Sequence, residues 1–141
     1  MWICLKKTLI HRLYEALNSR NLDVLDELFA ENYISHANPP RPDLVGVKDS
    51  KELLANYLSA FPDLHVSVEE ILADGDAVAY RWILEGTHTG SNLILPIPAT
   101  GKKVTIIGCS LLHVKDGKFV DEWEYWDQTA LLEQLGVMSP A

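Results

Sequence analysis

Three features of the 141-residue sequence predict an α+β fold. Apolar residues recur at helical spacing through the first half. The second half alternates at the strand period, and short Asp-Gly turns join its strands in pairs. The first predicted helix carries Leu5, Leu9, Leu13 and Leu17 on one stripe, widened by Ile10 and Ala16. Asn18-Ser19-Arg20-Asn21 ends it, because these side chains compete for backbone hydrogen bonds. Leu22, Leu25, Leu28 and Phe29 mark a short second helix with Asn21 as its cap. The segment from Ser35 to Gly46 holds Pro39, Pro40 and Pro42 and reads as a loop. A third helix from about Asp49 to Phe61 offers Leu53, Leu54, Tyr57, Leu58 and Phe61, and Pro62 stops it.

Strands are then predicted over Leu64–Ala73 and Ala77–Thr89, joined at Asp74-Gly75-Asp76. A longer connection, Ser91–Lys102, precedes a second pair, Val104–Val114 and Phe119–Asp127. Leu131, Leu132 and Leu135 suggest a closing helical turn, with Gly136 placed as a C-cap glycine. There is no repeat or linker, so one domain spanning 1–141 is expected.

With 12 basic and 20 acidic side chains the formal net charge is -8. That disfavours nucleic acid as a partner, since phosphates demand a basic surface. The longest near-apolar run, Leu93–Ala99, is far short of a membrane span of about 20 residues. The N-terminus has no cationic region ahead of an apolar one and reads as no secretory signal. Cys4 and Cys109 form no framework and are expected as buried thiols in a reducing, cytoplasmic compartment.

The register of the last hairpin decides which side chains share a face. A two-residue turn at Asp116-Gly117 would pair Lys115 with Lys118. A three-residue loop with Gly117 in a G1 bulge needs positive φ at only one residue, and is preferred on that ground. It pairs Leu112 with Val120, Ser110 with Glu122 and Gly108 with Glu124. One face then holds Ile106, Gly108, Ser110, Leu112, Val120, Glu122, Glu124 and Trp126. The other holds Ile107, Cys109, Leu111, His113, Phe119, Asp121, Trp123 and Tyr125. This outer patch of Ile107, Cys109, Leu111, Trp123 and Tyr125 predicts a homodimer.

Several stretches, taken in order, resemble the SnoaL-like polyketide cyclases, within the nuclear transport factor 2-like and ketosteroid-isomerase-like superfamily. They are His11–Asn18, Leu25–Phe29, Gly86-Thr87-His88-Thr89-Gly90, Pro98-Ala99-Thr100-Gly101-Lys102, and Asp116-Gly117-Lys118 running to Leu131–Gly136. The resemblance implies a curved antiparallel sheet wrapped into a cone, about three N-terminal helices on its concave face, and an internal pocket. It also implies aldol ring closure without metal or cofactor. The family's acid/base aspartate falls on Glu124 and its neighbouring histidine on Ser110. Glutamate keeps the carboxylate, whereas serine cannot replace an imidazole as a base.

Glu124 is therefore the first acid/base candidate, because an apolar pocket would raise its pKa toward neutrality. Glu122, two residues away on the same face, would couple to it. Ser110 is a candidate hydrogen-bond donor to a substrate carbonyl, and Trp126 and Trp82 are candidate walls for a planar ligand. His36 is expected at the pocket mouth, following the superfamily's pattern. Tyr14, one position off the leucine stripe, could point a phenol inward. Arg81 is a candidate ligand contact, or a partner for Glu85 or Glu69. His65, His88 and His113 are scattered without ligand spacing, and no Gly-rich loop opens a helix, so neither a metal nor a nucleotide cofactor is expected. The predicted partner is a small hydrophobic molecule, acted on by acid/base catalysis or simply bound.

Overall fold

A computed structural model describes residues 2–92 and 95–138, with side chains from Leu5 onward. The Cys4 thiol, and Leu93 and Ile94 of the apolar run, lie outside the described residues. Helix α1 (Trp2–Asn18) buries Leu9, Ile10, Leu13, Ala16 and Leu17, while Leu5 at the start of the stripe stays exposed. Asn18 pins the helix end to a strand. Its amide donates to the Val66 carbonyl and accepts from the Val66 N–H, both at 2.9 Å. A 3-10 turn at Leu22–Val24 leads into α2 (Leu25–Leu28), and Asn21 makes no capping side-chain bond there.

The chain then departs from the sequence reading. Phe29–Asn38 is a ten-residue strand, β1, where a helix end and a loop were expected. Its Tyr33-Ile34-Ser35-His36-Ala37 stretch does alternate, yet the leucine stripe before it and the prolines after it hide the period. A strand partner distant in sequence overrides the local signal. The short strand β2 (Leu44–Val45) follows, then α3 (Gly46–Ala60), which starts three residues earlier than the sequence suggests. Gly46 enters it at φ +77, and Asp49 Oδ2 accepts from the Val45 N–H at 2.9 Å. The remaining elements are β3 (His65–Asp74), β4 (Ala77–Thr87), β5 (Lys103–Lys115), β6 (Lys118–Trp126) and α4 (Gln128–Gln134). Asp127 caps α4 by accepting from the Ala130 N–H, and Gly136 closes it at φ +78.

The strands form one curved six-stranded sheet in the order β2-β1-β6-β5-β4-β3. It is mixed, because β1 runs parallel to β6 while the other neighbours are antiparallel. The helices and the inner face enclose the core, which includes Ile10, Leu25, Leu28, Leu64, Val78, Leu112 and Phe119. Among the described residues no helix is long and apolar enough to cross a membrane.

The last hairpin corrects the predicted register. Lys115 pairs with Lys118 across a two-residue turn, with Asp116 at φ 52 and Gly117 at φ 76. Both central residues adopt positive φ, the requirement of a type I′ turn, whose twist matches the strands. The bulge lies further along instead, between His113 and Val114, so that Val120 is the extra residue. Phe119 therefore turns inward with no exposure, where outward was predicted, and Val120 leaves the inner set. Beyond the bulge the partners shift by two: Leu112 faces Glu122, Ser110 faces Glu124, and Gly108 faces Trp126. A shift of two preserves sidedness, so Glu122, Glu124 and Trp126 keep the predicted face.

Candidate active site

Three rows of side chains cross the inner face of the sheet. The first joins Ser35, Glu122, Leu112 and Val78; the second Ala37, Glu124, Ser110 and Tyr80; the third Trp126, Gly108 and Trp82. The third row depends on its glycine. A Cβ on Gly108 would stand 2.1 Å from the Trp82 ring, so only glycine lets that indole lie flat across the sheet. Trp82 thereby reaches Ser110, its Nε1 donating to Ser110 Oγ at 3.1 Å.

Two adjoining cavities open above these rows. One is walled by Phe61, Leu64, Trp82, Leu84, Ile106 and Trp126, and Glu124 is the single ionisable carboxyl on it. The other brings together Tyr14, Tyr33, Arg41, Ser50 and both Glu122 and Glu124. Tyr57 and Glu124 line both, so the carboxyl stands where an apolar lobe meets a polar one.

The carboxyls titrate unlike surface groups. Burial, then the neighbouring Glu124, lift Glu122 to about 8, against the opposing Ser35 hydrogen bond, the Arg41 charge and the Tyr33 hydrogen bond. Burial also raises Glu124, but the Arg41 guanidinium opposes the shift. Arg41 Nη2 lies 3.6 Å from Glu124 Oε2 and donates to Ser35 Oγ at 2.9 Å. Ser35 in turn donates to Glu122 Oε1 at 2.9 Å. Two residues about 6.5–7 Å apart along one strand thus give their carboxyls different neighbours.

A run of hydroxyls completes the polar lobe. Tyr14 and Tyr80 oxygens are 2.6 Å apart, and Tyr80 is also hydrogen-bonded to Ser110. The Trp82 N–H can only donate, so Ser110 Oγ accepts from it and has its own proton for Tyr80. Tyr80 can then donate to Tyr14, which leaves the Tyr14 proton for the lobe that Tyr14 lines. Burial pushes both phenols well above the usual tyrosine range, so they remain protonated donors.

The structure brings Glu122, Glu124, Ser110, Tyr14, Trp82 and Trp126 to this one face. Ser110 is committed to Trp82 and Tyr80, so it reaches the cavity through Tyr14 rather than by the direct carbonyl contact expected of it. His36 and Arg81 do not join the site. Alternation along β1 turns His36 to the outer face, where its ring stacks on Trp123 at 4.1 Å and Nδ1 contacts Asp43 at 2.9 Å. Arg81 is exposed on that same face, opposite Cys109. The Cys109 thiol is exposed as well, not buried within the chain. Ile107, Trp123 and Tyr125 beside it are 54%, 43% and 47% exposed.

Sequence reasoning missed Tyr33, Ser35, Tyr80, Arg41 and Ser50. Recognising β1 as a strand would have placed Tyr33 and Ser35 inward by alternation. Nothing marks Arg41, which sits between Pro40 and Pro42 in a loop whose path is set by tertiary contacts. His88, read as part of a turn, is fully buried, and its Nδ1 accepts from the Thr100 N–H at 3.2 Å. Among the described residues no three His, Cys, Asp or Glu side chains converge as metal ligands would.

Comparison with known proteins gives a consistent set of relatives. The sequence profile described as SnoaL-like polyketide cyclase matches residues 7–135. The aklanonic acid methyl ester cyclase DnrD of Streptomyces peucetius is 27% identical over 130 residues, covering 91% of this chain and 88% of that protein. DauD of Streptomyces sp. strain C5, which bears the same enzyme name, is 28% identical over 131 residues, covering 91% and 80%. Among solved structures, IdmH of Streptomyces antibioticus, provisionally assigned as a polyketide cyclase, superposes with TM-score 0.80 at 30% identity, over 92% of this chain and 97% of its own. AclR of Streptomyces galilaeus, provisionally assigned as a hydroxylase, superposes with TM-score 0.85 at 27% identity, over 99% and 85%.

Proposed function

Because the chain belongs to the SnoaL-like polyketide cyclase family, we propose that it performs cofactor-free acid/base catalysis on a small, mostly apolar carbonyl compound. The reaction is enolisation followed by aldol ring closure or isomerisation. The observation that carries this reading is the position of Glu124, a carboxyl shared by an apolar lobe and a phenol-lined one. A flat, apolar ligand packs in the apolar lobe against Trp82 and Trp126, which sets the carbon beside its carbonyl at Glu124. Glu124 takes the proton from the carbon beside the carbonyl, and the electron pair moves onto oxygen. The Tyr14 hydroxyl, last in the run from Trp82 through Ser110 and Tyr80, donates to that enolate oxygen. The enolate carbon then attacks a second carbonyl, whose π pair moves onto its oxygen and takes the proton back from Glu124 to give the hydroxyl, or the delocalised enolate regains that proton from Glu124 at another carbon.

One observation favours a second reading, a binding module that only sequesters its ligand. Serine stands where the family carries a histidine, and the Ser110 hydroxyl is already engaged by Trp82. The two are separated with 2-tetralone, an apolar ketone with acidic α-hydrogens. Glu124→Gln should stop its exchange of α-hydrogen for solvent deuterium, followed by proton NMR, while its affinity stays within about twofold. Wild-type exchange rates in that variant would overturn the assignment of Glu124.

The outer sheet face supports a homodimer through Ile107, Cys109, Leu111, Trp123 and Tyr125, three of which are large, apolar and exposed. Sedimentation of a monomer at micromolar concentration would contradict it. A free thiol at Cys109 fits a reducing, cytoplasmic setting.

A further inference from the structure

We propose that Arg41 is a positioning residue that decides which carboxyl of the pair holds the proton, keeping Glu124 ionised and leaving Glu122 protonated. The proposal rests on the acid/base reading above and adds a residue to it. The loop that carries Arg41 follows β1 and is stiffened by Pro39, Pro40 and Pro42, whose φ angles are fixed by their rings. The guanidinium is anchored from the loop side, with Nη1 donating to the Ser35 carbonyl at 3.2 Å and to the Pro42 carbonyl at 3.3 Å. So held, Nη2 faces the pair asymmetrically. It stands 3.6 Å from Glu124 Oε2, whereas its hydrogen-bonded path to Glu122 runs through the Ser35 hydroxyl and its charge reaches that carboxyl from further off.

Titratable groups face the pair from four elements and from the proline loop. Tyr14 comes from α1, Tyr33 from β1, Tyr57 from α3 and Tyr80 from β4, all neutral phenols held above their usual range. Among the described residues Arg41 is the one cation whose charge acts on Glu122 and Glu124. A charge at direct range acts more strongly than one relayed through a neutral hydroxyl, so the asymmetry favours ionisation of Glu124. The site then carries one base and one neutral acid before reaction. After proton transfer the enolate takes over the negative charge beside Arg41, and the net charge of the site is unchanged.

The test compares Arg41→Lys and Arg41→Met in the full chain by the pH dependence of α-hydrogen exchange on 2-tetralone. In Arg41→Met the rising limb should move upward by at least one pH unit, which is a loss of at least about tenfold in rate at pH values below the wild-type limb. Arg41→Lys keeps a cation and should hold the limb within about half a unit of the wild type. If Arg41 merely props the loop, both variants lower the plateau alike and leave the limb in place, which overturns the proposal. Carboxyl-carbon NMR titration of the wild type provides an independent readout, should Arg41→Met not fold. Glu124 must ionise at lower pH than Glu122, and the reverse order refutes the role of Arg41. Failure of the underlying reading looks different: exchange that persists in Glu124→Gln, whatever Arg41 does.

Discussion

Replacing Glu122 by glutamine should make the protein more stable, by a margin that opens above about pH 4.5 and is complete near pH 8. Glutamine copies the shape of the protonated carboxyl and still accepts from the Ser35 hydroxyl, which donates to Glu122 Oε1 at 2.9 Å. Folding raises this group from 4.5 to about 8. A carboxyl with a raised folded pKa favours the native state while it is protonated. Its contribution is complete below about pH 4.5 and is lost as pH climbs toward 8. At about 1.4 kcal/mol per pH unit the span is at most about 5 kcal/mol. Coupling to Glu124 and rearrangement of the polar lobe reduce this to about 2–3 kcal/mol in practice. For a domain of this size that is roughly 6–12 °C in Tm. Thermal melts of wild type and Glu122→Gln between pH 5 and pH 9 should lie closest at pH 5, diverge steadily through neutrality and run parallel above about pH 8. Parallel curves across the range would refute the reasoning, since they would mean that Glu122 is already ionised at pH 5.

Two further substitutions probe the walls of the site. Gly108→Ala puts a methyl group 2.1 Å from the Trp82 ring, so the indole must leave its place and its bond to Ser110. Urea titration should show a loss of about 1–3 kcal/mol, with weaker binding of planar ketones. Ser50→Ala should raise stability by about 1 kcal/mol, because Ser50 Oγ is buried with no hydrogen-bond partner and alanine is the better helix former. A fall in stability instead would show that the hydroxyl has a structural partner.

The legible parts of this molecule were those fixed by local pattern. The leucine stripe of α1, the stop at Pro62 and both Asp-Gly hairpins follow from spacing and turn chemistry, and alternation alone kept Glu122, Glu124 and Trp126 on one face. What escaped depends on partners far away in sequence. β1 reads as a strand only once β6 lies beside it. The turn at Asp116-Gly117 adopted the costlier φ at Asp116 because a bulge at Val120 lets Phe119 reach the core. His36 followed the parity of β1 to the outer face, and Arg41 entered the site from a loop with no periodicity to read.

The most direct test of the account is whether the unaltered protein moves a proton on carbon at all. The measurement is the rate of deuterium incorporation at the α-carbon of 2-tetralone, at saturating ligand and neutral pH, against protein-free buffer. A buried general base predicts acceleration of at least about 100-fold. Ligand bound at micromolar affinity with no acceleration over buffer would contradict it, and would make the cavity a place of storage rather than of chemistry.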